Sequence, residues 1–153
     1  MTAANPSALD TFVDDDTDTV NYLEEIETVI YSLAVDQKVM VGSSGDDRGW
    51  KFQYGTVEVY VQLTGLTEED TLTVWSPVLP LPAKKEAELT RKLLELNWSS
   101  TLEARFAIVE DKVVVVASRT VADLNPGEIS RSITIVATLA DDMDEPLIEE
   151  YGN

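Results

Sequence analysis

The sequence predicts an α+β fold in which three helices pack on an antiparallel sheet of five strands. Two observations support this prediction. Apolar residues recur every three or four positions in three segments, which is typical of amphipathic helices, and five other segments alternate apolar and polar residues, which is typical of half-buried strands. The predicted order is α-β-β-β-α-β-β-α. We expect one domain over residues 18–153, preceded by a flexible acidic segment over residues 1–17.

The first helix and the first three strands occupy the N-terminal half of the chain. Apolar residues repeat at helical spacing from Val20 to Leu33, after an acidic run that can cap the helix start. Alternation then predicts a hairpin with its turn at Gly55. A third strand is predicted over residues 71–76, and Pro77 is expected to end it because proline has no N–H to donate to a strand ladder.

The second helix and the last two strands follow. Pro82 fits a first helical position, so the pattern predicts a helix over residues 83–98. Alternation that begins at Leu102 indicates a fourth strand as far as Ile108. A turn then leads into a fifth strand over residues 113–118.

The last helix has the strongest local signal in the chain. Asn125 is a suitable N-cap, Pro126 occupies the first helical position, and Glu128 lies where its carboxylate can reach back to the cap. Two apolar residues occupy the positions of a hydrophobic staple, Leu124 and Ile129. The many β-branched residues in 132–139 also permit a strand. We favour the helix because the capping residues precede an apolar repeat at helical spacing.

Acidity is concentrated at the two ends of the 153-residue chain. The formal net charge is −18, yet residues 38–131 contain eleven basic and fourteen acidic residues and therefore carry only −3. A negative charge repels nucleic acid and anionic lipid, so we expect neither a nucleic acid nor a membrane as partner. The charge suits a cation or a protein with a basic surface, although it can also serve solubility alone.

The composition excludes most catalytic mechanisms. The chain has no histidine and no cysteine, so a Ser-His-Asp triad, a cysteine nucleophile and a His/Cys zinc site are impossible. Carboxylate pairs could transfer protons, but no spacing among the 29 acids distinguishes one pair. We expect a protein that is not an enzyme, with no catalytic residues and no cofactor. The first twenty residues also show no export signal, which favours the cytoplasm.

One group of acids has the spacing of a calcium loop. Asp14, Asp16 and Asp18 occupy positions 1, 3 and 5 of that pattern, and Glu25 occupies position 12. Two features depart from it, because Thr19 replaces the glycine of position 6 and no helix signal precedes the loop. The same acids can simply cap the first helix. Weak Ca²⁺ binding by an acidic protein is therefore the alternative function.

Two aromatic residues leave a structural question open. Tyr60 and Trp75 are predicted on the sheet face opposite Val57, Val59 and Val61. Either helices cover both faces, which we favour, or one face is a binding surface.

Several stretches resemble the YbjN-like family, especially its cyanobacterial members. They are residues 71–79 with the helix that follows, and the block from Glu103–Ala107 through Val113–Val116 into Asn125–Glu128. The likeness covers residues 18–150. It implies a fold similar to type III secretion chaperones, a homodimer, and a chaperone-like or regulatory protein that binds other proteins. It offers no catalytic residues.

Overall fold

The computed structural model describes residues 22–153. Helix α1 covers residues 22–33, and a 3-10 turn follows at Val35–Gln37. The remaining elements in chain order are β1 (Val39–Ser44), β2 (Asp47–Tyr54), β3 (Val57–Leu63), β4 (Thr71–Pro80), α2 (Glu86–Ser99), β5 (Arg105–Val109), β6 (Lys112–Thr120) and α3 (Pro126–Tyr151).

The strands form one antiparallel sheet in the order β1-β2-β3-β4-β6-β5. The α+β class, the antiparallel sheet and, within residues 22–153, the three helices are confirmed. The predicted number of five strands is wrong, because β1 pairs along β2 from Val39↔Phe52 to Ser44↔Asp47. Its alternation is too short to predict a strand, since small residues replace the apolar ones after Val41.

Three predicted boundaries move. Strand β4 continues to Pro80, because Pro77 lies beyond the residues that pair with β3 and needs no N–H on that side. Helix α2 begins at Glu86 because the preceding segment is held elsewhere, with the Lys84 N–H donating to the Tyr151 carbonyl at 2.8 Å. Strand β5 begins at Arg105, since Leu102 lies in a turn with a φ of 56°.

The capping residues of α3 behave as the sequence predicts. The Asn125 side chain accepts from the Glu128 N–H at 2.9 Å, and the Glu128 carboxylate accepts from the Asn125 N–H at 3.2 Å. Leu124 and Ile129 are both buried beside this cap. The strand interpretation of residues 132–139 is wrong, because they lie within the 26-residue helix.

The hydrophobic core lies between one face of the sheet and the helices. Alternate residues of β3 and β4, such as Val59 and Val74, are fully buried there, and so are Ile133 and Val136 of α3. Ile26 of α1 joins the same cluster. Burial of this apolar area is the main stabilising contribution, at roughly 25 cal/mol per Å².

Candidate protein-binding surfaces

The predicted calcium ligands fall mostly outside the described residues. Asp14, Asp16 and Asp18 precede residue 22, and Glu25 is half-buried on α1. From residue 22 onward, no three acidic side chains converge in a way that could hold a metal ion. The calcium loop therefore stays a prediction.

One pair of acids on α3 has a structural role. The Thr56 hydroxyl donates toward the Asp144 carboxylate at 2.8 Å and lies 3.1 Å from Asp141 Oδ1, which also accepts from the Thr56 N–H at 2.9 Å. These bonds fix the turn between β2 and β3 on the middle of α3. Gly55 precedes Thr56 with a φ of 54°, and a Cβ there would collide with the Asp141 carboxylate.

Helix α2 carries the most exposed apolar surface of the described chain. Trp98 is 92% exposed and Leu94 is 65% exposed, four residues apart on one side of the helix. Leu102, three residues after the end of α2, is 73% exposed. We call these three residues the α2 patch. The sequence contained a usable signal, because Leu94 and Trp98 repeat at helical spacing away from the buried Leu89 and Leu93.

The opposite side of α2 is fixed to the rest of the molecule. Leu89 and Leu93 are buried in the core, and Lys92 pairs with Glu150 of α3 at 3.1 Å. The buried Tyr151 ring lies under the Lys85 and Lys92 ammonium groups, at 5.5 and 5.6 Å from the ring centre. Burial raises the pKa of the Tyr151 hydroxyl. The side of α2 opposite the patch therefore packs against the core and α3.

A shallow, open depression runs along this exposed side, and all of its lining residues belong to α2. Its lining consists of Ala87, Thr90, Arg91, Leu94, Glu95 and Trp98. Arg91 and Glu95 pair with each other at 3.4 Å and border the apolar residues. An apolar centre bordered by charges is the usual composition of a protein-binding surface.

The other face of the sheet carries Tyr60 and Trp75, the aromatic residues whose exposure the sequence does not decide. One row of residues crosses all six strands in register, and its members are Met40, Lys51, Tyr60, Trp75, Val116 and Arg105. We call the face that carries this row the open face. Tyr60 and Trp75 stack with ring centres 5.2 Å apart and an interplanar angle of 10°.

The open face is not covered by a helix in the described part of the chain. Two depressions on it, of about 370 and 470 Å³, are lined by residues of strands and of the β5–β6 turn alone. Lys51 bonds Glu58 at 3.1 Å, and this hydrogen bond raises the pKa of the Lys51 ammonium. The expectation that helices cover both faces is therefore wrong for residues 22–153.

A further cavity, of about 390 Å³, lies between β6 and the start of α3. Its charges are paired with one another: Arg119 bonds Glu128, and Arg131 bonds both carboxylate oxygens of Glu103 at 2.6 and 3.0 Å. The bond from Arg131 lowers the pKa of the Glu103 carboxyl. This cavity has no unpaired ion for a ligand to recognise among its lining residues.

A family model matches most of the chain. A family model described as "YbjN: Putative bacterial sensory transduction regulator" matches residues 22–149. The chain belongs to the YbjN family. The predicted family is thereby confirmed, while its cyanobacterial subtype stays a prediction. A search of curated proteins finds no match.

One of the solved structures that match this YbjN-family chain is only remotely similar to it. It is a chain from the crystal structure of the ExsC-ExsE complex, 13% identical, with a TM-score of 0.49 over 80% of this chain and 92% of that one. Separately, no helix within residues 22–153 has both the length and the apolar content that crossing a bilayer requires.

Proposed function

We propose that this YbjN-family protein is a non-enzymatic protein-binding module, chaperone-like or regulatory, that acts as a homodimer in the cytoplasm. The observation that supports it best is the exposure of Trp98 on a helix whose other side is buried. Tryptophan is among the residues that contribute most to protein–protein binding, and burying one stabilises a complex strongly.

The α2 patch is the proposed site of the partner. Leu94 and Trp98 offer an apolar strip about one turn of helix long, which suits the apolar face of a helix in the partner. The chain carries 29 acids against eleven bases, so a partner with basic residues around its apolar face would bind faster and with less repulsion. The family's description as a regulator of sensory transduction agrees with control through protein contacts.

The test is affinity capture of the partner, followed by calorimetry with the purified pair. Trp98→Ala should weaken binding by about 30-fold or more, the loss expected of a binding hot spot. Leu66→Ala is the matched control, because Leu66 is an exposed apolar residue in the loop between β3 and β4, outside the α2 patch. Equal binding by Trp98→Ala and the wild type would reject the α2 patch as the site.

The homodimer has its own measurement. Light scattering at micromolar concentration should give twice the chain mass of 16.9 kDa. A monomer under these conditions would contradict the dimer while leaving partner binding to be judged by calorimetry.

A further inference from the structure

The two edges of the sheet differ in what their backbones can bind. At the β5 edge, the Asn97 side chain donates to the Phe106 carbonyl at 3.2 Å and accepts from the Phe106 N–H at 2.7 Å. The Ala104 N–H, next along the same edge, donates to the Thr101 carbonyl at 3.0 Å. Asn97 therefore occupies the position that another strand would take beside Phe106, and this edge is blocked there.

The β1 edge has no such protection in residues 22–153. The hydrogen bonds of its backbone are the ladder bonds to β2, and no side chain or loop of the described chain bonds its outer side. Natural edge strands usually carry charges, proline or a bulge that prevents pairing with another chain. β1 (Val39–Ser44) has no charge and no proline, and Met40 and Val41 are 66% and 58% exposed.

We infer that β1 pairs antiparallel with β1 of a second copy, around a two-fold axis at Val41, so that two six-stranded sheets become one of twelve strands. This inference rests on the homodimer proposed above and names the surface that forms it. The backbone bonds of the added strand supply affinity, and the side chains opposite one another set the register.

The register at Val41 matches large residues to small ones. Val41 lies opposite Val41 of the second copy, and Met40 lies opposite Gly42 of the second copy. Gly42 pairs with Gly49 of β2, and a Cβ at Gly42 would meet nothing within 4 Å. The two glycines help to form the depression of about 370 Å³ on the open face, beside the Tyr60–Trp75 stack. The Met40 side chain of the second copy would enter this depression.

The charge of the chain favours this strand for self-association. Each copy carries −18, so two copies repel wherever acids face each other. In the Val41 register every pair within the strand is uncharged, and Lys38 comes opposite Ser44 of the second copy. Because β1 and β5 lie at opposite ends of the sheet, the α2 patches of both copies stay accessible to the partner.

The first test introduces a lysine into each edge strand of the sheet, β1 and β5. Val41→Lys places two ammonium groups at the axis and should raise the dimer dissociation constant by about tenfold or more in analytical ultracentrifugation. Ile108→Lys is the matched control, since Ile108 is 54% exposed on the blocked β5 edge, and its dimer should be unchanged. Circular dichroism verifies that both variants fold. A Val41→Lys dimer as tight as the wild type would overturn the inference.

A cysteine variant tests the register even if the lysine variant fails to fold. The chain has no cysteine, so any disulfide-linked dimer reports the introduced residue alone. Residues directly opposite on antiparallel strands have Cβ atoms about 4.5–5.5 Å apart, close to the reach of a disulfide. Val41→Cys should therefore cross-link on oxidation. Ser43→Cys should not, because its two copies would lie roughly 13 Å apart along the strands.

The outcomes separate this inference from the proposed function. Loss of the dimer in Trp98→Ala, with an intact dimer in Val41→Lys, would place self-association on α2 and reject pairing through β1. Efficient cross-linking of Ser43→Cys but not of Val41→Cys would reject the Val41 register.

Discussion

Helices α2 and α3 are packed in opposite ways. Helix α3 begins with a complete capping box and buries nine of its residues. Helix α2 buries two, and its N-cap, Lys85, has a φ of 49° and makes no side-chain capping bond. The buried surface of α3 stabilises the domain. The exposed surface of α2 contributes little to folding and is available for binding. Four predictions test this contrast.

The largest effect is expected in the buried face of α3. Ile133 is fully buried, so Ile133→Ala should lower the free energy of unfolding by about 2–5 kcal/mol through lost contacts and a cavity. Leu94→Ala on α2 should change it by less than about 0.5 kcal/mol, because Leu94 is exposed. Urea denaturation at one protein concentration measures both. Equal losses would show that α2 is also part of the stabilising core.

The hairpin contact of α3 should give the next largest effect. Thr56→Val removes the hydroxyl that bonds Asp141 and Asp144, and leaves a buried carboxylate with fewer donors. We expect a loss of about 1–3 kcal/mol in urea denaturation. Thr90→Val is the control on α2. The Thr90 hydroxyl is exposed and donates to the Glu86 carbonyl of the same helix, so its loss leaves no buried group without a partner. A loss as large in the control would reject the special role of the α3 contact.

The helix caps predict a smaller difference. Asn125→Ala removes the bond to the Glu128 N–H and should cost about 1 kcal/mol. Lys85→Ala removes no capping bond and should cost less. Thermal unfolding of the two variants, compared with the wild type, measures the difference, and a larger loss in Lys85→Ala would contradict it.

The smallest effect is expected for the ion pair between Glu103, in the loop after α2, and Arg131 of α3. Its contribution to stability depends on pH. Arg131 lowers the pKa of Glu103 in the folded state, so this pair stabilises the fold above the ordinary glutamate pKa of about 4.3 and ceases to do so as pH falls through the lowered value. Glu103→Gln should lower the urea midpoint slightly at pH 7 and not at pH 2. A loss that is the same at both values would show that packing, not charge, is responsible.

The sequence predicts α3 well because its signals are local. Asn125, Pro126 and Glu128 act within one turn of helix, and no distant contact alters what they do. The alternation of β3 also predicts that strand correctly, because one face of β3 is buried along its whole length.

The missing strand and the binding surfaces depend on distant contacts. β1 is a strand because its backbone pairs with β2. Its glycine and serine residues form no apolar–polar alternation, so the sequence does not predict this pairing. The spacing of Leu94 and Trp98 is a signal for the α2 patch, but only the packing of α2 on the core establishes that these side chains are exposed. The exposure of Tyr60 and Trp75 likewise depends on which face the helices cover.

The three tryptophans provide an optical consequence of this packing. Trp50 is buried and donates to Glu27 at 3.0 Å, Trp75 stacks on Tyr60, and Trp98 is almost fully in water. Their fluorescence therefore samples the core, the open face and the α2 patch separately. A quencher dissolved in the solvent would reach Trp98 first, so the loss of quenching when a partner binds would report that contact without any added label.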